Sequence, residues 1–175
     1  MAHPTLIERF LHDPNGKYRA CAGAILVNGS RQLLICRRNT DKFEAWQFPQ
    51  GGVEGEETDF KTAAAREATE ELGISHSTLG HVQDIPEVFY YQAPADSWLV
   101  QRGFKGQAIS FSVFRFNGAI QDLDLSISHD EGHPPEFSEA KWMDFAQWDT
   151  ELTPYVADFK RECYQSIHSH LQSIF

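Results

Sequence analysis

The chain has little basic charge: 15 lysines and arginines stand against 25 aspartates and glutamates over 175 residues, a net charge of −10. Basic contacts to phosphate supply most of the affinity for a long nucleic acid, so an extended track along DNA is excluded. No apolar run reaches membrane-spanning length, so no membrane partner is expected. The opening MAHPTLIERFLHDPNG lacks the basic start and apolar stretch of a secretory signal, which reads as a cytoplasmic protein. Three cysteines, Cys21, Cys36 and Cys163, have no CxxC spacing and lie inside apolar patterns, where buried reduced thiols are expected. Repeats, low-complexity tracts and linkers are absent, and residues 1–175 read as one domain with an N-terminal extension over 1–17.

What the chain does have is interleaved strand and helix patterns. RACAGAILVNG (19–29) ends in Asn-Gly and is followed by QLLICRR, a hairpin signal. Residues 39–57 carry Pro49 and three glycines and read as a loop. A helix follows, with Thr58 as its cap, Asp59 in its first turn, and a stop at Gly73 after Leu72. PEVFYYQ (86–92), QAISFSVFRFNG (107–118) and KWMDF (141–145) are strand candidates. The second places Ile109, Phe111 and Val113 on one face, with Phe114 and Phe116 on the other. Thr153-Pro154 opens a C-terminal amphipathic helix over 153–175, with Val156, Phe159, Cys163, Ile167, Leu171 and Ile174 on one stripe. The class is α/β.

The most informative stretch is AAAREATEELGI (63–74). At about 100° per residue, Glu67, Glu70 and Glu71 share one helix face, where like charges repel. Surface helices usually interleave lysine with glutamate, whereas this segment offers only Lys61 and Arg66. Ala65, Ala68 and Leu72 provide a small packing side. Clustered carboxylate oxygens suit hard Mg²⁺ or Mn²⁺, so the face reads as a metal site organised by Arg66.

Gly51, five residues, Glu57, then Arg66-Glu67-Ala68-Thr69-Glu70-Glu71-Leu72-Gly73-Ile74 resembles the Nudix box, here residues 51–74. One feature departs from the family pattern: eight residues, not seven, separate Glu57 from Arg66. YRACAGAILVN, AWQFPQGG, the GQ at 106–107, the PEF at 135–137 and FKRECY at 159–164 resemble the branch that hydrolyses dinucleoside polyphosphates and removes pyrophosphate from RNA 5′ ends. The resemblance implies an α/β/α sandwich with a mixed sheet between helices and a loop-helix-loop box. It implies a structural role for Glu57 as the partner of Arg66, and places Glu136 across the cleft as a further metal ligand.

Phosphoanhydride cleavage requires charge neutralisation before a water can reach phosphorus. Glu70 and Glu71 are the expected principal ligands, with the Gly51 carbonyl and Glu136 completing the sphere. Glu67 binds a second metal or acts as general base. By position in the resemblance, Arg19 and Arg38 are candidate phosphate contacts. The aromatics Phe89, Tyr90 and Tyr91 are candidates for base stacking. The acidic balance favours a dinucleoside polyphosphate such as diadenosine tetraphosphate, with the triphosphorylated 5′ end of RNA as the alternative substrate. A binding module of the same fold that has lost catalysis is the reading of another class.

Overall fold

The computed structural model describes residues 17–40, 44–128 and 132–175, so the expected N-terminal extension lies outside the described residues except for Lys17. Alternation of small and apolar residues along β1 (Tyr18–Val27) sets the architecture. Cys21 and Ile25 point to one face of the sheet, while Ala22, Ala24 and Leu26 point to the other. β2 (Gln32–Arg38) returns antiparallel with Val27 opposite Leu33. The hairpin loop turns on Asn28, whose Oδ1 accepts from the Ser30 and Gln32 N–H groups at 3.0 and 2.9 Å. Its left-handed residue is Arg31, with φ 63°.

β7 (Gly106–Phe116) runs parallel to β1 from the Tyr18–Gly106 pair to the Val27–Arg115 pair. Every other pairing is antiparallel, which makes an eight-stranded mixed sheet. As the alternation predicts, Ile109, Phe111 and Val113 enter one core, and Phe114 and Phe116 the other. The segment read as a loop over 39–57 contains two short strands, β3 (Trp46–Gln47) and β4 (Gln50–Gly52). Phe48 lies between them, fully buried, its ring stacked on Tyr164 with centroids 5.3 Å apart. The polar strand β5 (Leu79–Asp84) had no apolar pattern to announce it, and β6 (Phe89–Gln92) is shorter than its segment. β8 (Phe137–Asp144) begins four residues before KWMDF.

α1 (Phe60–Leu72) lies on the Ala22–Ala24–Leu26 face through buried Ala63, Ala64, Ala68 and Leu72. Its cap is Asp59 rather than Thr58: the Asp59 carboxylate accepts from the Thr62 N–H at 2.7 Å and the Thr62 hydroxyl at 2.9 Å. Gly73, φ 62°, ends it in the left-handed conformation. The expected C-terminal helix starts later than read. Thr153–Tyr155 and Asp158–Lys160 are single 3₁₀ turns, separated where Val156 turns extended (φ −75°, ψ 136°), and α3 spans Arg161–Leu171. Val156, Cys163, Ile167 and Leu171 are buried as the stripe predicts, whereas Phe159 is exposed. All three cysteines are buried and free. Among the described residues no helix is long and apolar enough to cross a membrane.

Candidate active site

The site forms where β4 meets the outward edge of α1. Arg66 is its organiser. Its Nε and Nη2 donate to the two Glu57 oxygens at 3.0 Å each. Its Nη1 donates to Glu67 Oε1 at 2.8 Å and Glu70 Oε2 at 3.1 Å, and its Nη2 also reaches the Gly52 carbonyl at 2.7 Å. One planar guanidinium thus ties the box loop to the helix, as its fork of donors allows. Between Glu57 and the first helical residue, Phe60, stand Thr58 and the cap Asp59, and ahead of Glu57 a turn around Gly55, φ 54°, brings the Glu57 N–H to the Glu54 carbonyl at 3.1 Å. With eight residues between them, Glu57 still faces Arg66.

Glu67 is buried, and Glu71 beside it is partly buried. Burial raises Glu67 to about 7 against the pull of Arg66, with Glu70 and Glu54 pushing the same way. Burial pushes Glu71 well above the carboxylate range, Glu136 and Glu67 push it further, and the Gln50 N–H at 3.2 Å and Lys160 pull it back. The site therefore holds more acidic oxygen than its own cations neutralise. Glu136 is exposed, with its Oε1 3.4 Å from Arg38 Nε. Among the described residues no three Asp, Glu, His or Cys side chains converge as a ready metal cluster. Arg66 Nη1 draws Glu67 and Glu70 to itself, and the Gln50 N–H holds Glu71. The donor set is nonetheless oxygen only, with buried carboxylates in mutual repulsion, which suits a hard divalent cation.

Gly51 fits the same purpose. A Cβ placed on it would lie 2.2 Å from the Glu67 carboxyl carbon, so only glycine lets that carboxylate lie against the strand. Gly51→Ala is expected to lower kcat at least tenfold, about 1.4 kcal/mol of barrier, by displacing Glu67. Steady-state rates beside a circular dichroism spectrum check this; a folded, fully active variant would show that Glu67 need not lie there.

The substrate candidates separate. Arg19 lies with its guanidinium against Gly52. Arg38 has a buried Nε without an aligned hydrogen bond. Phe89 and Tyr91 point into the core at 6% and 8% exposure, while Tyr90 is 54% exposed. Strand alternation puts Tyr90 on the opposite face, edge-on to Tyr18 with centroids 5.3 Å apart, so the three rings do not line one base pocket. The Tyr91 hydroxyl instead accepts from Gln50 Nε2 at 3.1 Å and donates to Gln107 Oε1.

One group was missed. Lys160 is 6% exposed and donates from Nζ to Gln47 Oε1 at 2.9 Å. Burial lowers it to about 8, Arg38 adds to that, and Glu136 opposes it. Its signal was a lysine set into the apolar stripe beside Phe159.

A model of the NUDIX domain family matches residues 17–166. The chain is 33% identical over 152 residues to an RNA pyrophosphohydrolase of Roseobacter denitrificans, covering 86% of this chain and 89% of that protein. It is 34% identical over 161 residues to an RNA pyrophosphohydrolase of Erythrobacter litoralis, covering 90% and 93%. Among solved structures it resembles a C. elegans Ap4A hydrolase binary complex, with TM-score 0.57, 21% identity, and 88% and 94% coverage of the two chains. A Nudix hydrolase from M. smegmatis, RenU, gives TM-score 0.60, 16% identity, and 90% and 88% coverage. At those identities the solved structures support the fold. With the family model spanning most of the chain and these relatives covering most of their own length, the protein belongs to the NUDIX domain family.

Proposed function

We propose that the protein hydrolyses a phosphoanhydride bond in a nucleoside 5′-polyphosphate with Mg²⁺ or Mn²⁺. The observation that carries this reading is the excess of enclosed carboxylate on one edge of α1, with Glu67 and Glu71 both raised by burial and by their acidic neighbours. Glu70 and Glu71 would be the principal ligands of such a cation, with the Gly51 carbonyl and Glu136 as further ligands, and Glu67 would hold a second cation or act as the general base. Bound cations of this kind neutralise phosphate oxygens and lower the pKa of water.

The chain's own groups do the remaining work. Arg66 fixes the box loop to α1, so that the Gly51 carbonyl and the glutamates keep their relative places. A Glu67 carboxyl that titrates at about 7 is matched to accepting a proton from water at neutral pH. Arg38, now beside Glu136, is placed to exchange that partner for a phosphate oxygen, and Arg19 supplies a second contact. Tyr90, the exposed ring of the three, is left as the base-stacking candidate.

Glu67 also sets a pH dependence. Its carboxyl titrates at 4.5 ordinarily and at about 7 in the folded, metal-free protein. The folded state then binds more protons than the unfolded one between those values, so metal-free stability falls as pH rises through that window. A divalent cation competes with the proton, so stabilisation by Mg²⁺ grows over the same window. Melting temperatures from about pH 5 to about pH 8, with and without Mg²⁺, check this. A gap independent of pH would remove Glu67 from the site.

A dinucleoside polyphosphate such as diadenosine tetraphosphate is the substrate favoured by the net charge of −10. The observation favouring the triphosphorylated RNA end is the 33–34% identity to RNA pyrophosphohydrolases over most of both chains. Comparison of kcat/KM for the two separates them: a higher value for the dinucleotide is expected, and a higher value for the RNA oligomer replaces it.

A further inference from the structure

We propose that Trp98 is a positioning residue: its ring holds the Arg19 guanidinium against Gly52, so that the phosphate chain meets a preset cation rather than a mobile one. The proposal rests on the reading above in which Arg19 contacts phosphate.

The segment joining β6 to β7 closes on itself, with Ala93 N–H donating to the Lys105 carbonyl at 2.9 Å. It contains a single helical turn, α2 (Trp98–Gln101), capped by Ser97 Oγ, which accepts from the Leu99 N–H at 3.1 Å. Leu99 is 6% exposed and anchors the turn, and Phe104 N–H returns to its carbonyl at 3.0 Å. The fold of the segment is thus secured by Leu99. Trp98, the largest side chain in it, stays 48% exposed. What the ring does meet is charge: the Arg19 guanidinium lies 5.0 Å from its centroid and that of Arg102 5.2 Å. Both are within the range of cation–π attraction, which is strongest for tryptophan.

The second wall is the box loop. A Cβ on Gly52 would lie 2.2 Å from Arg19 Nη2 and 2.5 Å from its Cζ, so the guanidinium lies against bare backbone. The carbonyl of the same Gly52 accepts from Arg66 Nη2 at 2.7 Å. Ring and glycine together fix Arg19 one residue away from the arginine that organises the glutamates. A long arginine otherwise loses rotamer freedom on binding a ligand, and a side chain held beforehand has less to lose. The benefit falls on substrate capture, because the reacting phosphorus is held elsewhere.

Steady-state kinetics with Mg²⁺ and diadenosine tetraphosphate or triphosphorylated RNA test this on Trp98→Leu, Trp98→Phe, Arg19→Ala and the Arg19→Ala/Trp98→Leu double variant. Trp98→Leu is expected to raise KM about tenfold with kcat unchanged. Trp98→Phe, which keeps an aromatic face, stays within about threefold of wild type. Arg19→Ala raises KM at least as much as Trp98→Leu, and the double variant is no worse than Arg19→Ala. An unchanged KM in Trp98→Leu beside a raised one in Arg19→Ala overturns the positioning role alone. Losses that multiply in the double variant also overturn it, since Trp98 then acts independently of Arg19. An unchanged KM in Arg19→Ala overturns the phosphate contact itself, and the positioning role with it.

Discussion

Glu70→Gln is expected to lower metal-dependent turnover by two orders of magnitude or more, without lowering the melting temperature. Glutamine keeps the shape of the side chain and an oxygen that can accept from Arg66 Nη1, now 3.1 Å from Glu70 Oε2. What it removes is one negative charge from a cluster in which burial and like neighbours already raise Glu67 and Glu71. In the absence of metal that removal relieves repulsion, so stability holds or rises. In its presence a ligand charge is missing where phosphate oxygens must be neutralised. Such terms supply several kcal/mol, and each 1.4 kcal/mol is about tenfold in rate. Initial rates against Mg²⁺ concentration, beside thermal melts, measure both halves. A variant that retains rates within about threefold would remove Glu70 from the ligand set.

Arg66→Ala is expected to have the largest effect on stability. The substitution leaves the Glu57 carboxylate without both of its Arg66 donors and frees Glu67, Glu70 and the Gly52 carbonyl from the same guanidinium. Removing one partner of a buried ion pair costs about 3–5 kcal/mol. The Arg66 side chain is 21% exposed, which favours the lower end, about 3 kcal/mol or roughly 6–12 °C in a chain of this size. Arg66→Lys keeps the charge but not the fork, and is expected to recover less than half of the loss. Mg²⁺ should restore part of the melting temperature to Arg66→Ala, because a cation replaces some of the missing positive charge. A loss under about 1 kcal/mol would show that the loop is held by other contacts.

The box helix was legible because two levels agreed. Three glutamates fell on one face and small residues on another, and the helix ended at a glycine that takes a positive φ. The alternation of β7 was legible for the same reason, since both of its faces are buried. Strand β5 was not: LGHVQD is largely polar, and pairing with β7 rather than apolar content makes it a strand. The C-terminal stripe marked Val156, Cys163, Ile167 and Leu171 as buried but also Phe159, which is exposed, and it did not show where the helix begins, because its apolar positions also suit a chain of short turns. The tie between Glu57 and Arg66 forms although eight residues separate them, which residue counting does not reveal. The three base candidates divide between two faces because adjacent strand positions point opposite ways. Lys160 was hidden because a buried lysine and a surface lysine are the same letter until the fold encloses one.

The central proposal is that carboxylates on α1 hold divalent cations for attack on a phosphoanhydride. Its most direct measurement is turnover of diadenosine tetraphosphate, 5′-triphosphorylated RNA and ADP-ribose, each with Mg²⁺ or Mn²⁺ and with chelator. Hydrolysis of one of the first two that requires the cation, and exceeds that of ADP-ribose, is the expected result. Absence of cation-dependent hydrolysis of all three would contradict it.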